Sequence, residues 1–565
     1  MTTLLKDGLV VNVFTDSLLQ ANVLFSDEGT ILGVGDYTEA DVIVDCTGKI
    51  LSPGFIDGHI HIESTMLLPY ELAKVALVHG TTAIVADPHE IANVAGTAGI
   101  DFILAASENI PLRVYVNLPS CVPATPFDES GAKLTADDLK PYYSNPRVLG
   151  LAEMMNYPGV IAGDKEVLRK IEGALQEGKM VDGHAPLLSG KDLDLYLSKG
   201  ISSDHECSSF AEAKERIEKG QWVMIREGTS ARNLKGLVDL FDEPFNHRCL
   251  LVTDDKHPHD LMGHGHIDAI IRKAVKRNKN PLVGIRMASI QAASCFHLPF
   301  MGAIAPGYKA DILVLNDLTT VDVQDVYVGG KLVVKDKVAL PFPCPFVEDS
   351  IYQKVRHTFH FDDVSPKDFY VEPSTRPARI ISLLKEQLLS EEAHEVLDFS
   401  TNNGIDIERD ILKIAVVERH HNTHHIGLGY IHGIALKEGA IASSVSHDSH
   451  NIVVLGTNDA DIAFAVNQIK AQGGGQVVVK NGEIVAKNVL SIGGLMSNSP
   501  ILEVAAGNEA VRKAAMECGA TPDFEPFMAM GFMALPVIPH IKICTRGLVD
   551  VDAQKIVPLF VSENE

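Results

Sequence analysis

Between residues 51 and 295 short apolar runs alternate with segments long enough for helices, and this alternation constrains the fold more than any other feature of the 565-residue chain. Eight such runs recur: ILSPGFID, TTAIVAD, LRVYVNL, RVLGLAE, GKMVDGH, GISSDH, QWVMIRE and CLLVTDD. Segments such as LPYELAKVALVHG and DKEVLRKIEGALQEG separate most of them. Strands that alternate with helices imply parallel pairing through crossover connections. Eight such units over about 250 residues predict a (β/α)8 barrel of the α/β class, whose reactive mouth lies at the C-terminal ends of the strands.

The flanks have a different texture. Residues 4–48 read as short strands broken by turns (DGLVVNVF, ANVLFSDEG, TILGVG, ADVIVDCTG), and GAIAPGYKADILVLND and VQDVYVGGKLVVKD return to that pattern after the barrel. They predict a small β-sandwich built from residues 1–50 and 300–345 around a barrel at 51–299. The Pro-rich segment LPFPCPF (340–346) marks a break. Residues 346–565 carry mixed α/β signals and are enough for an additional C-terminal domain.

Charge and cysteine usage exclude several classes of function. With 49 basic and 74 acidic residues the net charge is −25, which repels phosphate backbones and anionic membranes, so no nucleic-acid partner is expected. No apolar run approaches the roughly 20 residues of a membrane helix. The N-terminus has neither the basic region nor the cleavage pattern of a signal peptide. The eight cysteines are scattered without a CxxC pair, which favours a reducing compartment, and the cytoplasm is the expectation. A homo-oligomer, a dimer first of all, is the expected assembly.

Polar residues fall at the ends of the apolar runs. His59 and His61 follow the first run, and residues two apart on an extended chain project to one side. Glu153 ends the fourth run, His184 the fifth, His205 the sixth and Asp254 the eighth. Four imidazoles and two carboxylates suit a pair of divalent first-row metals, with Glu153 as the bridging group. A lone His or Asp at a strand end is usually a structural hydrogen-bonding group, but six at matching positions are hard to obtain by accident. Asp255 alternates to the other side of an extended chain, so Asp254 is preferred over it as the catalytic carboxylate.

Asp87 and His89, after the second run, are candidate contacts for a substrate ring. Glu90 and Asn93 serve equally well as caps of the helix that follows. Arg226 and Glu227, after the seventh run, are further substrate-binding candidates, with an exposed ion pair as the alternative. His257 and His259 read as solvated loop residues.

The stretch GFIDGHIHIEST, the strand pattern after it and PGYKADILVLN resemble the amidohydrolase superfamily. Many of its members bridge their metals with a carboxylated lysine on the fourth strand, where this sequence has Glu153. Taken in order, PGFIDGHIHIESTML, TTAIVADPHEIANVAG, GLAEMMNYPGV, VDGHAP, SSDHE, VTDDKHPHDL and the late block GAIASSVSHDSHNIVVLG resemble the adenine deaminases over essentially the whole chain. The resemblance implies hydrolysis of adenine to hypoxanthine and ammonia, by metal-activated hydroxide attacking C6. It implies Asp254, Glu153 and His205 as catalytic residues, Asp254 moving the proton and His205 either ligating metal or polarising substrate. Mn2+ is the first choice of metal, with Fe2+ or Zn2+ also compatible with the ligand set. The alternatives are an amidohydrolase acting on a dihydropyrimidine or hydantoin, disfavoured by Glu153 and the extra domain, and a non-catalytic scaffold, disfavoured by the complete ligand set.

Seven of the 23 histidines (His420, His421, His424, His425, His432, His447 and His450) fall within 420–450. An auxiliary metal site, a wall of the active site and ordinary polar structure are equally compatible with them. The GGG in AQGGGQVVV lacks the spacing and the Lys of a phosphate loop and reads as a turn.

Overall fold

The computed structural model describes residues 1–229, 231–384, 390–523 and 525–562. Eight parallel strands form the barrel: β1 (Phe55–Ile60), β2 (Thr81–Ala86), β3 (Arg113–Leu118), β4 (Val148–Met154), β5 (Met180–Gly183), β6 (Ser203–Asp204), β7 (Trp222–Arg226) and β8 (Cys249–Val252). β1 to β5 pair in order as one parallel ladder and β6 to β8 as another. Single parallel bridges close the ring, Val181 to Ile201 between β5 and β6, and Ile60 to Asp254 between β1 and the residues after β8. At the first of these seams a Cβ on Gly183 would lie 2.3 Å from the Ser203 carbonyl oxygen, so the close approach admits only glycine.

Strand parity explains how one set of residues both fills the barrel and arms its mouth. Ala83, Val85, Met180, Met224, Leu250 and Val252 pack together in the interior with Phe296 and Met301. Two residues beyond the last apolar member of each strand, on the same face, stand Asp87, Asp182, Arg226 and Asp254. The opposite faces, including Ile84, Val116, Val181, Ile225 and Leu251, join the larger cluster with the surrounding helices. Burial on both faces is why these runs are almost continuously apolar.

Strands from the two flanks of the barrel meet in one sheet. Ile50–Pro53 pairs in parallel with Thr2–Asn12 on one side and antiparallel with Ile312–Leu315 on the other, within a nine-stranded sheet that runs on to Val338–Ala339. The C-terminal region carries an eight-stranded mixed sheet covered by the helices Asp459–Ala471 and Ile501–Glu517. Its central strands Leu412–Val417 and Ile452–Gly456 are wholly buried. This region is docked on the barrel: Leu67 bridges to Ser497, and Asn451 Nδ2 donates to the Glu129 carbonyl at 2.8 Å. Among the described residues no helix is long and apolar enough to cross a membrane.

Candidate active site

Four of the strand-end residues, His59, His61, His184 and His205, surround a fifth, Glu153. Its Oε2 lies 2.6 Å from His184 Nδ1 and 3.1 Å from His205 Nε2. Its Oε1 lies 3.3 Å from His61 Nε2 and 3.9 Å from His59 Nε2. Asp254 closes the second half of the cluster, with Oδ1 3.3 Å from His59 Nε2 and 3.0 Å from His61 Nε2. Apart from half-buried His184, these side chains are buried. The candidate ligand groups include His59, His61 and Asp254 on one side and Glu153, His184 and His205 on the other, and Glu153 and His61 also come together with Asp87 and His89.

The surroundings set the charge of these groups. Burial opposes ionisation of Glu153, but His205 and His184 hold its carboxyl well below the usual range. Burial likewise opposes ionisation of Asp254, and Arg226 with the two histidines outweighs it. Arg226 Nη1 donates to Asp254 Oδ2 at 2.9 Å and also pairs with Glu206. Burial lowers the His59 imidazolium, yet hydrogen bonds to Asp182 and Asp254 push it up to about 10. Asp254 itself has φ +58°, a left-handed conformation costing on the order of 1–3 kcal/mol that a non-glycine residue keeps only under constraint.

Asp87 and His89 both reach the cluster. His89 Nδ1 lies 3.0 Å from Asp87 Oδ2 and 3.6 Å from Glu153 Oε1. Arg226 reaches it through Asp254, whereas the Glu227 carboxylate pairs with Lys273 instead. Asp255 accepts from Ser64 Oγ at 2.5 Å. His257 is buried, against the expectation of a solvated loop residue, and His259 is exposed.

Glu90 and Asn93 do not cap their helix by side-chain hydrogen bonds. Asn93 Nδ2 donates to the His89 carbonyl at 3.0 Å. Glu90 is gripped from the C-terminal domain, by His447 Nδ1 at 2.6 Å and by His450 Nε2. The histidine-rich region therefore divides. His447 and His450 wall the site, whereas His421, His424, His425 and His432 are exposed, and His420 hydrogen-bonds the Ser449 carbonyl. No helix forms at 420–424; the segment links the strands Leu412–Val417 and Ile426–His432.

Sequence reasoning missed Asp182, Glu206 and Asp448. Asp182 Oδ2 stands 3.2 Å from His59 Nδ1 and orients that ring. Its position two residues before His184, on the same strand face, was the available signal. Glu206 directly follows His205 and sits 3.7 Å from His184 Nδ1.

The Glu90 pairing carries a testable consequence. Burial lowers the His447 imidazolium, but Glu90 overrides this and raises it to about 9 from 6.5. A raised folded-state value adds stability that is complete below pH 6.5 and lost as pH rises through about 9. Glu90→Gln leaves two buried histidines without their carboxylate and is expected to cost about 3–5 kcal/mol. Thermal unfolding at several pH values checks this: the variant melts lower at neutral pH and shows a flatter decline toward pH 9. An unchanged melting profile would contradict the pairing.

A (β/α)8 barrel with four imidazoles around a shared carboxylate at its mouth defines an amidohydrolase with a candidate metal-binding cluster, and residues 50–333 match the amidohydrolase family. Residues 387–555 match the adenine deaminase C-terminal domain. The chain is 43% identical over 98% of its length to the adenine deaminase of Desulfatibacillum aliphaticivorans, covering 96% of that protein. It is 41% identical, with the same coverage of each, to the adenine deaminase of Geobacillus kaustophilus. The chain belongs to the adenine deaminase family. Among solved structures, the dihydropyrimidinase of Brevibacillus agri NCHU1002 aligns over 60% of this chain and 96% of its own, at 17% identity and a TM-score of 0.47.

Proposed function

We propose that this chain hydrolyses adenine to hypoxanthine and ammonia with a pair of divalent metal ions. The observation that carries the reading is Glu153, one carboxylate placed between two histidine-rich ligand groups in a chain whose full-length relatives are adenine deaminases. The residues present fit the metals. His59 and His61 turn their Nε2 atoms toward each other at 3.2 Å, and both face carboxylate oxygens of Glu153 and Asp254. Such a convergence of imidazole and carboxylate donors accepts Mn2+, Fe2+ or Zn2+, with Mn2+ the first choice by the family resemblance. His59, His61 and Asp254 would hold one ion, His184 and His205 the other, and Glu153 both. Metal bound there supplies acidified water, its pKa lowered from about 16 to near 7.

The chain's own groups handle the proton and the substrate. Asp254 keeps Oδ1 toward the cluster while Arg226 fixes Oδ2, so it is placed to take a proton from water and pass it to the departing amine. Asp87 and His89 border the space for the purine ring. The same reading takes 1–50 with 300–345, 51–299 and 346–565 as the three units of a cytoplasmic dimer.

Ammonia release from adenine by purified protein loaded separately with Mn2+, Fe2+ or Zn2+ tests the reaction, with adenosine and a dihydropyrimidine in parallel. Metal-dependent turnover of adenine is the expected result. Turnover of the dihydropyrimidine alone, or of nothing despite two bound ions, overturns it.

A further inference from the structure

The loop at 446–451 brings a carboxylate from the C-terminal domain to the barrel mouth. Asp448 is buried, and its Oδ2 has no hydrogen-bond partner among the described residues. Its Oδ1 lies 3.8 Å from His89 Nε2, while Nδ1 of the same ring lies 3.6 Å from Glu153 Oε1. One imidazole therefore separates Asp448 from the centre of the cluster. The flanking His447 and His450 hold Glu90 of the barrel, and the His450 N–H donates to the Ser446 carbonyl at 2.7 Å, so the loop presenting Asp448 is fixed at both sides.

A buried carboxylate oxygen without a donor is costly and calls for a ligand that supplies one. A carboxylate only accepts hydrogen bonds. Adenine carries two kinds of donor, the exocyclic amine and the N–H of its five-membered ring. The amine must lie at Glu153 and Asp254 for its carbon to be attacked. A purine lying along the His89 ring then points its five-membered edge, and its remaining N–H, toward Asp448.

We propose that Asp448 accepts the imidazole N–H of the purine and thereby restricts the site to free bases. A substituent on N9 removes the donor and sets an alkyl or sugar group against the carboxylate. This inference rests on the adenine reading above.

The test compares the metal-loaded wild-type enzyme with Asp448→Asn and Asp448→Ala, using adenine and 9-methyladenine as substrates, hypoxanthine binding by calorimetry, and metal content per chain. The expected result for Asp448→Ala is a rise of about 10²-fold in the adenine KM and the hypoxanthine Kd, the scale of a charge-assisted hydrogen bond, with a smaller change in kcat. The wild-type preference for adenine over 9-methyladenine should collapse toward parity, while Asp448→Asn, which retains an acceptor oxygen, keeps part of it. An unchanged preference overturns the proposal, and so does loss of a metal equivalent, which would make Asp448 a ligand instead. If the wild type binds hypoxanthine through Asp448 yet releases no ammonia from adenine, the reaction assignment fails and the recognition role survives.

Discussion

Glu153→Gln is expected to lower kcat/KM by about 10⁴-fold or more, since water activation and proton transfer depend on the same assembled centre. The substitution keeps the shape and removes the charge. Five imidazole nitrogens, His89 Nδ1 among them, lie 2.6–3.9 Å from the Glu153 oxygens, and an amide presents an N–H2 where one of those oxygens stands. Both ligand groups lose their common member, so elemental analysis should find both ions reduced, whichever metal was supplied. A variant that retains two ions and wild-type turnover would refute the bridging assignment. Folding is expected to survive, because β4 is buried by apolar contacts of Val148 and Leu151 that the change does not touch.

Asp254→Asn is expected to separate binding from chemistry. The asparagine oxygen still faces His59 and His61, so most of the metal stays, but the side chain no longer accepts a proton. A fall in kcat of about 10²–10⁴-fold with KM nearly unchanged is the expected signature of a lost general base. Steady-state kinetics beside metal content distinguish this from a lost ligand, which would raise KM and empty the site together. Arg226 loses the partner at 2.9 Å but keeps Glu206, so the local charge balance does not collapse.

What the sequence made legible follows from periodicity. In a parallel barrel every strand that ends in a polar residue delivers it to one mouth, so the gathering of His59, His61, Glu153, His184, His205 and Asp254 in one place is readable from position alone. The flanking sheet was readable from alternation on both sides of the barrel. Glu90 was not, because a carboxylate in the first turn of a helix is equally suited to capping it, and its partners lie more than 350 residues away. Asp448 was hidden by the same separation. Nothing in SVSHDSHN states that the loop lies against the barrel; docking of the eight-stranded sheet determines that. Asp182 and Glu206 were legible in parity or adjacency but carried no motif of their own.

The nine-stranded sheet bears on the order in which this protein can be made. Among the described residues Ile50–Pro53 finds its antiparallel neighbour only in Ile312–Leu315, so the ribosome must add roughly 260 residues after this strand emerges before its second edge is covered. At about 5–20 residues per second that edge waits for tens of seconds, through the synthesis of the whole barrel. An uncovered strand is a template for intermolecular pairing. Nascent chains arrested before residue 312 should therefore self-associate through the uncovered edge of Ile50–Pro53, whereas chains arrested beyond the hairpin Val323–Val328 and Lys331–Lys335 should not.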